Sequence, residues 1–302
     1  MAITPENLLN GPLSTQKCTL GCPILDRSLG GGVPCNSITE IVAESGSGKT
    51  QLCLQIALHF QLPVSHGGLA ASSLYLHTEF PFPFRRLHQL SHSFCSLYNR
   101  LYNGVNYNPC DHLYVHSIHT ADQLLDIMSK IESFLVNRNT QLPVKLIVID
   151  SIAALFRSEF DNTPRELKRR SALFFKISGK LKALAKRFSL AVVVTNQVVD
   201  FMGPSEGING VRVGNLGALY SSGRRVCAAL GLAWANCVNS RLFLSREEEI
   251  VREDDALVDC SDGHNLCRRT TRFLHVIFAP HLPDTSCEFE ITRDGVFGVE
   301  RR

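Results

Sequence analysis

Short apolar runs alternate along this chain with longer stretches of helical rhythm. Runs of strand character recur at Ile38–Val42, Ser73–His77, His112–His116, Lys145–Ile149 and Leu190–Thr195, and the longer gaps between them carry the 3.6-residue period of helices. That alternation predicts an α/β fold, a mostly parallel sheet flanked by helices, over residues 18–302 behind a short tail at 1–17. Cys53, Ile56, Ala57 and Phe60 form one stripe of a helix starting near Lys49, placed against the sheet. Phe174, Ile177, Leu181, Leu184 and Phe188 do the same within Arg165–Phe188, whose outer face is basic. Beyond Asn196 the pattern changes. Asp200–Gly223 holds Gly203, Gly207, Gly210, Gly214, Gly217 and Gly223 with little apolar periodicity, so a long mobile loop is expected. Arg241–Leu244 and Arg272–Phe278 read as hairpin strands, and the acidic stretch between them, 245–270, is expected to be a poorly ordered insertion.

Composition narrows the class. Hydrophobic residues at 44% and charged residues at 20% of 302 suit a soluble globular core. No apolar run approaches the roughly 20 residues of a membrane helix, so no membrane partner is expected. The N-terminus has neither a secretory nor a transit pattern. Eleven cysteines, with no C-x-x-C pair, fit neither a disulfide framework nor a zinc site and suggest a reducing compartment. Cys260, His264 and Cys267 have irregular spacing for a metal and read as an ordinary polar loop. The net charge of +3 is small, but Arg165–Arg187 alone carries +8 and leaves −5 for the remainder.

The most specific chemistry is AESGSGKT, Ala43 to Thr50, between the strand ITEIV and an apolar helix. Strand, loop and helix in that order make a P-loop. Here Ala43, Glu44, Ser45, Gly46, Ser47 and Gly48 curl the backbone so that N–H groups and the helix N-terminus face phosphate oxygens. Lys49 would reach the β- and γ-phosphates, and the Thr50 hydroxyl would ligate Mg²⁺. The loop pattern should start with Gly, and Ala43 is the smallest departure from it. Asp150 ends the buried strand of KLIVIDS, at the sheet edge where such folds bind ligands, and is assigned to the same Mg²⁺. An aspartate in that place is also a common helix cap. Glu79, closing SLYLHTE, is the candidate general base for hydrolysis, its alternative being a solvated strand-end carboxylate. Asn196 and Gln197 follow LAVVVT, where the Gln197 amide can bond a γ-phosphate oxygen and lose that partner on hydrolysis.

Taken in order, LGCPILDRSLGGGVP, ITEIVAESGSGKTQL, LYLHTEFPFPFRRL, LIVIDSIAALFRSEF and VVVTNQVV resemble the RecA-type core of eukaryotic and archaeal recombinases from about Cys18 to Gly298. The stretches LHTEFPFPFRRLHQL, VSHGGL and FAPHLPDTSCEFEITRDGV look like one of its paralogue branches. The resemblance implies a RecA-like P-loop ATPase core with ATP and Mg as cofactors and a weak DNA-dependent ATPase activity. It implies an ATP site shared between neighbouring protomers, Arg86 packing on the adenine and Pro280 in a cap over a neighbour's nucleotide. It also implies two DNA-facing loops, Arg157–Arg170 and Asp200–Gly223, with Arg157, Arg165, Lys168, Arg169, Arg170 and Arg212 as DNA contacts. The basic and Gly-rich character of those segments agrees, whereas Lys176–Arg187 reads as the solvated face of a helix. Filament-forming members carry an N-terminal helical domain and a Phe-x-x-Ala docking segment, but only about 17 residues precede the core here and no Phe precedes Phe60. The expected function is therefore an ATP- and DNA-binding mediator of homologous recombination, in double-strand-break repair and meiosis, working with another paralogue (C-type) and the main eukaryotic recombinase on single-stranded or branched DNA. It is expected in the nucleus, with a cytoplasmic pool. A non-hydrolysing assembly subunit and an autonomous filament-forming strand exchanger remain the alternatives.

Overall fold

The protein is described by a computed structural model covering residues 15–79, 81–102, 107–137, 140–157, 160, 163–201, 219–252 and 266–300. The chain enters through β1 (Lys17–Cys18), α1 (Pro23–Ser28) and β2 (Val33–Pro34), then builds its core from β3 (Ile38–Ala43), α2 (Lys49–His59), β4 (Ser72–His77), α3 (Phe84–Leu97), α4 (Asn99–Tyr102) and β5 (Leu113–Ser117). It continues through α5 (Ala121–Val136), β6 (Val144–Asp150), α6 (Ala154–Arg157), α7 (Pro164–Phe188), β7 (Ala191–Asn196) and β8 (Val198–Asp200). The last third holds β9 (Leu219–Ser221), β10 (Arg224–Ala228), α8 (Gly231–Ala235), β11 (Ser240–Arg252), β12 (Leu266–Phe278), β13 (Ser286–Ile291) and β14 (Val296–Gly298).

Among the described residues, nine strands form one sheet in the order β14-β13-β12-β11-β3-β7-β6-β4-β5. The run from β11 to β5 is parallel, and β12, β13 and β14 add on antiparallel. Side chains alternate across the sheet with the two-residue period of strands. Leu76, Ile147, Ile149, Val192 and Val194 enter the layer shared with α5, α7 and α8, while Tyr75, Leu146, Val148 and Val193 enter the layer shared with α1, α2 and α3. Burial on both faces is why these strands read as continuous apolar runs. A smaller sheet, β8-β10-β9, stands beside the main one. No described helix is long and apolar enough to cross a membrane.

Two expectations change. The stripe foreseen for α2 is too narrow, because every residue from Leu52 to Phe60 is buried. Its polar outer side is covered as well: Gln55 Nε2 donates to the carbonyls of Leu20 and Val296, at 2.6 and 2.9 Å. The segment 245–270 is strand in its described parts, since β11 and β12 pair from Arg241 opposite Phe278 to Arg252 opposite Leu266. Its acidic composition hid a ladder in which Glu249 stands opposite Arg269, and Glu247 and Glu248 stand opposite threonines. Residues 253–265, with Cys260 and His264, lie outside the described residues. So do 202–218 of the expected glycine-rich loop, whose ends are the strands β8 and β9.

The centre of the sheet carries a buried charge. Glu40 of β3 is 0% exposed and accepts hydrogen bonds from Arg241 Nε at 2.5 Å, Asn196 Nδ2 at 2.7 Å and Trp234 Nε1 at 2.9 Å. Three neighbours in the fold, β11, β7 and α8, are thereby pinned to β3. Removing one partner of such a pair leaves an uncompensated charge in the interior. Arg241→Met should cost about 3–5 kcal/mol in urea unfolding, and the double variant Arg241→Met/Glu40→Gln should recover most of it.

His59 gives a second test. Burial holds its ring near pKa 4 against an ordinary 6.5, although Nδ1–H donates to the Gln55 carbonyl at 2.8 Å. The neutral ring is thus favoured in the folded state, so its contribution is complete above pH 6.5 and is lost as pH falls from 6.5 towards 4. The stability difference between wild type and His59→Leu, from urea midpoints at pH 7.5 and pH 4, should shrink by up to about 3 kcal/mol.

Candidate phosphate-binding site

Parallel strands deliver their carboxyl ends to one edge of the sheet. At that edge β3 opens into the 44–48 loop, β6 ends in Asp150, β4 leads to Glu79 and β7 leads to Gln197. These residues line one cavity of about 870 Å³ together with Lys49, Thr50 and Arg157.

The loop geometry explains its glycines. Gly46 and Gly48 have φ of 79° and 107°, in the region where an L side chain is strained. A Cβ on Gly48 would stand 2.6 Å from Ile291 Cδ1, and one on Gly46 would stand 2.7 Å from Arg246 Nη1. Ala43, by contrast, is the last residue of β3, fully buried and not among the positive-φ residues. The smallest departure from the loop pattern therefore falls where no glycine conformation is needed.

Lys49 Nζ donates to the carbonyls of Ala43 and Glu44, at 2.9 Å each. Burial lowers its pKa, opposed by the nearby carboxylates of Asp150 and Glu79. The Thr50 hydroxyl donates to Asp150 Oδ2 at 2.7 Å. Two further hydroxyls aim the same carboxylate: Tyr75 OH at 2.7 Å to Oδ2, and Thr195 Oγ1 at 2.6 Å to Oδ1. Burial, followed by the adjacent Asp150 charge, pushes the Tyr75 pKa well up and keeps it a hydrogen-bond donor. Tyr75 and Thr195 were not singled out in the sequence, where the two-residue alternation of their strands offers the only signal. Across the cavity, Gln197 Nε2 donates to Glu79 Oε1 at 2.8 Å, so the amide and the candidate base are already in contact.

Other candidates lie elsewhere. Arg86 is outside the cavity wall: its guanidinium donates to Gln51 Oε1 at 2.6 Å, Gln89 Oε1 at 2.5 Å, and the carbonyls of Arg293 and Thr292 at 2.6 and 2.7 Å. Pro280 lines a different cavity with Lys17, Asn36 and His281, away from this chain's own P-loop. Glu44 bends its side chain towards the small sheet, where Ser221, Ser222, Arg246 and Arg224 hold it. Burial alone would raise the Glu44 pKa, but these four partners outweigh it and hold the carboxyl below its ordinary value.

The expected DNA contacts divide. Arg157 ends α6 and faces the phosphate cavity. Arg165 and Lys168 are exposed on the first turns of α7. Arg169 is drawn to Asp122 and Glu166 and lies over the Phe160 ring. Arg170 lies over Phe174, and Arg212 is outside the described residues. Further along α7, Lys176, Lys180, Lys186 and Arg187 are exposed, with Arg187 paired to Glu132.

A Rad51 family model matches residues 14–211. The chain is 58% identical to the DNA repair protein XRCC3 homolog of Arabidopsis thaliana, over 99% of this chain and 98% of that protein. It is 35% identical to DNA repair protein XRCC3 of Mus musculus, over 95% and 77% of the two chains. It is also 29% identical to the DNA repair and recombination protein RadA of Aeropyrum pernix, over 94% and 74%. The paralogue branch suggested by LHTEFPFPFRRLHQL, VSHGGL and FAPHLPDTSCEFEITRDGV is the one these XRCC3 relatives represent, in a short, plant-like form.

Gly48→Ala should strain the loop at φ 107° and press on Ile291. Melting temperatures with and without MgATP should reveal a folding cost of about 1–3 kcal/mol and the loss of any stabilisation by the nucleotide.

Proposed function

This chain belongs to the Rad51 family, and from that membership we propose that it is an ATP-binding, DNA-binding protein of homologous recombination repair. Within that reading it acts as a mediator, in complex with another paralogue, rather than as the strand-exchange filament itself. The observation that carries the proposal is the meeting of Thr50 and Asp150 at 2.7 Å beside Lys49, with Glu79 and Gln197 facing them across one cavity.

The residues fit a nucleoside triphosphate with magnesium. The Ser47 Oγ is buried with no hydrogen-bond partner among the described residues. Among the described residues, Lys49 is satisfied by the carbonyls of Ala43 and Glu44, bonds that are readily exchanged for phosphate oxygens. Thr50 and Asp150 would hold the Mg²⁺, which when bound neutralises charge developing on the transferred phosphoryl group. Lys49 and the backbone of 44–48 orient the phosphates. Glu79 accepts the proton of a water attacking the terminal phosphorus, as the bond to the bridging β-oxygen breaks and that oxygen leaves with ADP. Gln197 donates to Glu79 here, and a terminal phosphate offers it a competing acceptor at the root of the segment between β8 and β9.

DNA binding rests on Arg165 and Lys168, the exposed cations at the start of α7, with Arg169 available by exchange of its exposed ion pairs. Each phosphate neutralised on a single strand adds about 0.7 to the log–log salt slope. Nuclear action with a cytoplasmic pool, a role in meiosis, and contact with the main recombinase belong to the same proposal.

Glu79→Gln should retain ATP binding and lower DNA-stimulated hydrolysis by about 10²–10⁴-fold, measured by phosphate release. Light scattering of the full chain with a candidate paralogue and an oligonucleotide should give a defined heteromeric complex whose DNA affinity falls with salt. Repair that survives Glu79→Gln would instead make ATP a structural ligand of an assembly subunit. Large homopolymers formed without a partner would make the chain a strand exchanger.

A further inference from the structure

The wall of the phosphate cavity facing the P-loop contains an electrostatic anomaly. Arg246 of β11 and Arg272 of β12 stand directly opposite each other in the hairpin register, and both line the cavity. Like charges paired across a ladder repel and destabilise it. Burial lowers the Arg272 pKa and the Arg246 charge beside it lowers it further, opposed in part by Glu248, which lies 3.8 Å from Arg246 Nη2. Arg272 Nε is buried with no hydrogen-bond partner among the described residues, a cost that folding alone gives no reason to retain.

Arg246 is held in place. Its Nε donates to Glu44 Oε1 at 3.1 Å and to Ser222 Oγ at 3.0 Å. Its Nη1 then hangs over Gly46, 2.7 Å from the position a Cβ would take. The two guanidiniums are thus presented by regular strands of the same chain to a cavity that Lys49, Glu79 and Gln197 also line.

We propose that Arg272 and Arg246 read the terminal phosphate of the nucleotide held on this chain's own P-loop, and so make the site discriminate a triphosphate from a diphosphate. The inference rests on the reading of the cavity as a nucleotide site. A doubly charged terminal phosphate between the two guanidiniums turns their repulsion into shared attraction and supplies the acceptor that Arg272 Nε lacks. A diphosphate lacks that terminal phosphate and leaves Arg272 Nε without the acceptor. Glu44 extends the consequence. The carboxylate that anchors Arg246 also anchors Ser221 and Arg224 of the small sheet, at 2.6 and 3.2 Å, so a phosphate drawing Arg246 away alters the hold on β9 and β10.

The test is the affinity of the full chain for fluorescent mant-ATP and mant-ADP, each with Mg²⁺, in wild type, Lys49→Ala, Arg272→Gln and Arg272→Lys. Arg272→Gln should lose about tenfold in ATP affinity and stay within about twofold for ADP, with Arg272→Lys intermediate because it keeps the charge but not the fork. Equal losses for both nucleotides, or no loss for either, would overturn the inference while leaving the nucleotide site intact, provided Lys49→Ala removes both ligands. Wild-type protein that binds neither nucleotide would sink the site and the inference together. Should Arg272→Gln not fold, Arg272→Lys decides: a weaker preference for ATP supports the reading, and an unchanged ratio overturns it.

Discussion

A carboxylate buried in the middle of a parallel sheet governs the geometry of this protein. Glu40 sits in the middle of β3, four residues before Glu44 of the P-loop, fully enclosed, and its acceptor capacity is spent on Arg241, Asn196 and Trp234. A buried ion pair is weak evidence for net stability, because desolvation offsets most of the Coulombic gain. What it provides is register. Any slip of β7 or β11 against β3 would separate these groups and strand a charge in the core, so the penalty for error is much larger than the benefit of success.

That register is passed directly to the chemistry. Asn196 is bonded to Glu40 on one side of β3, and the next residue is Gln197, whose amide meets Glu79 at the cavity. Arg241 is bonded to Glu40 on the other side, and the same strand carries Arg246 to the phosphate loop five residues on. Two walls of the site are therefore set by one buried group that touches no ligand. The third wall is set from β6, where three hydroxyls from α2, β4 and β7 fix the Asp150 carboxylate before any cation arrives. Preorganisation of this kind moves the cost of ordering into folding, so little is left to be spent on binding.

Much of this was legible in the sequence, for identifiable reasons. Strands buried on both faces leave uninterrupted apolar runs, so β3, β4, β6 and β7 were placed within a residue or two of their observed limits. The P-loop and Asp150 were legible because their chemistry needs particular residue types at particular points of a strand–loop–helix unit. The long hairpin was legible only at its base, as Arg241–Leu244 and Arg272–Phe278. Its strands β11 and β12 carry Glu247–Glu249 and Arg268–Arg272, a composition that suggests disorder when each strand is read by itself. Only pairing brings Glu249 opposite Arg269 and makes the composition compatible with a ladder. The same blindness hid Arg246 and Arg272, since adjacency across a hairpin of unknown register cannot be counted along a chain. Arg157 was grouped with the basic residues that follow it in sequence, and its place in the wall of the P-loop cavity was not legible there.

The distribution of charge around the cavity now has a physical logic. Among the described residues, Lys49, Arg157, Arg224, Arg246 and Arg272 line it against the carboxylates of Glu44, Glu79 and Asp150. Glu44 is already committed to Arg224, Arg246 and two serines, and Asp150 to three hydroxyls. Five cations against three carboxylates leave the lining with an excess of positive charge, with Glu248 a further carboxylate 3.8 Å from Arg246. In a partly enclosed, low-dielectric cavity, such an excess is unstable by itself and strongly favours a multivalent anion. A long phosphate chain engages more of these cations than a short one, because the lysine at the loop and the arginines of the hairpin line the same cavity. Under the proposed reading, selectivity for the longer anion follows from where the positive charges are fixed, and the buried Glu40 fixes the strand that carries Arg246.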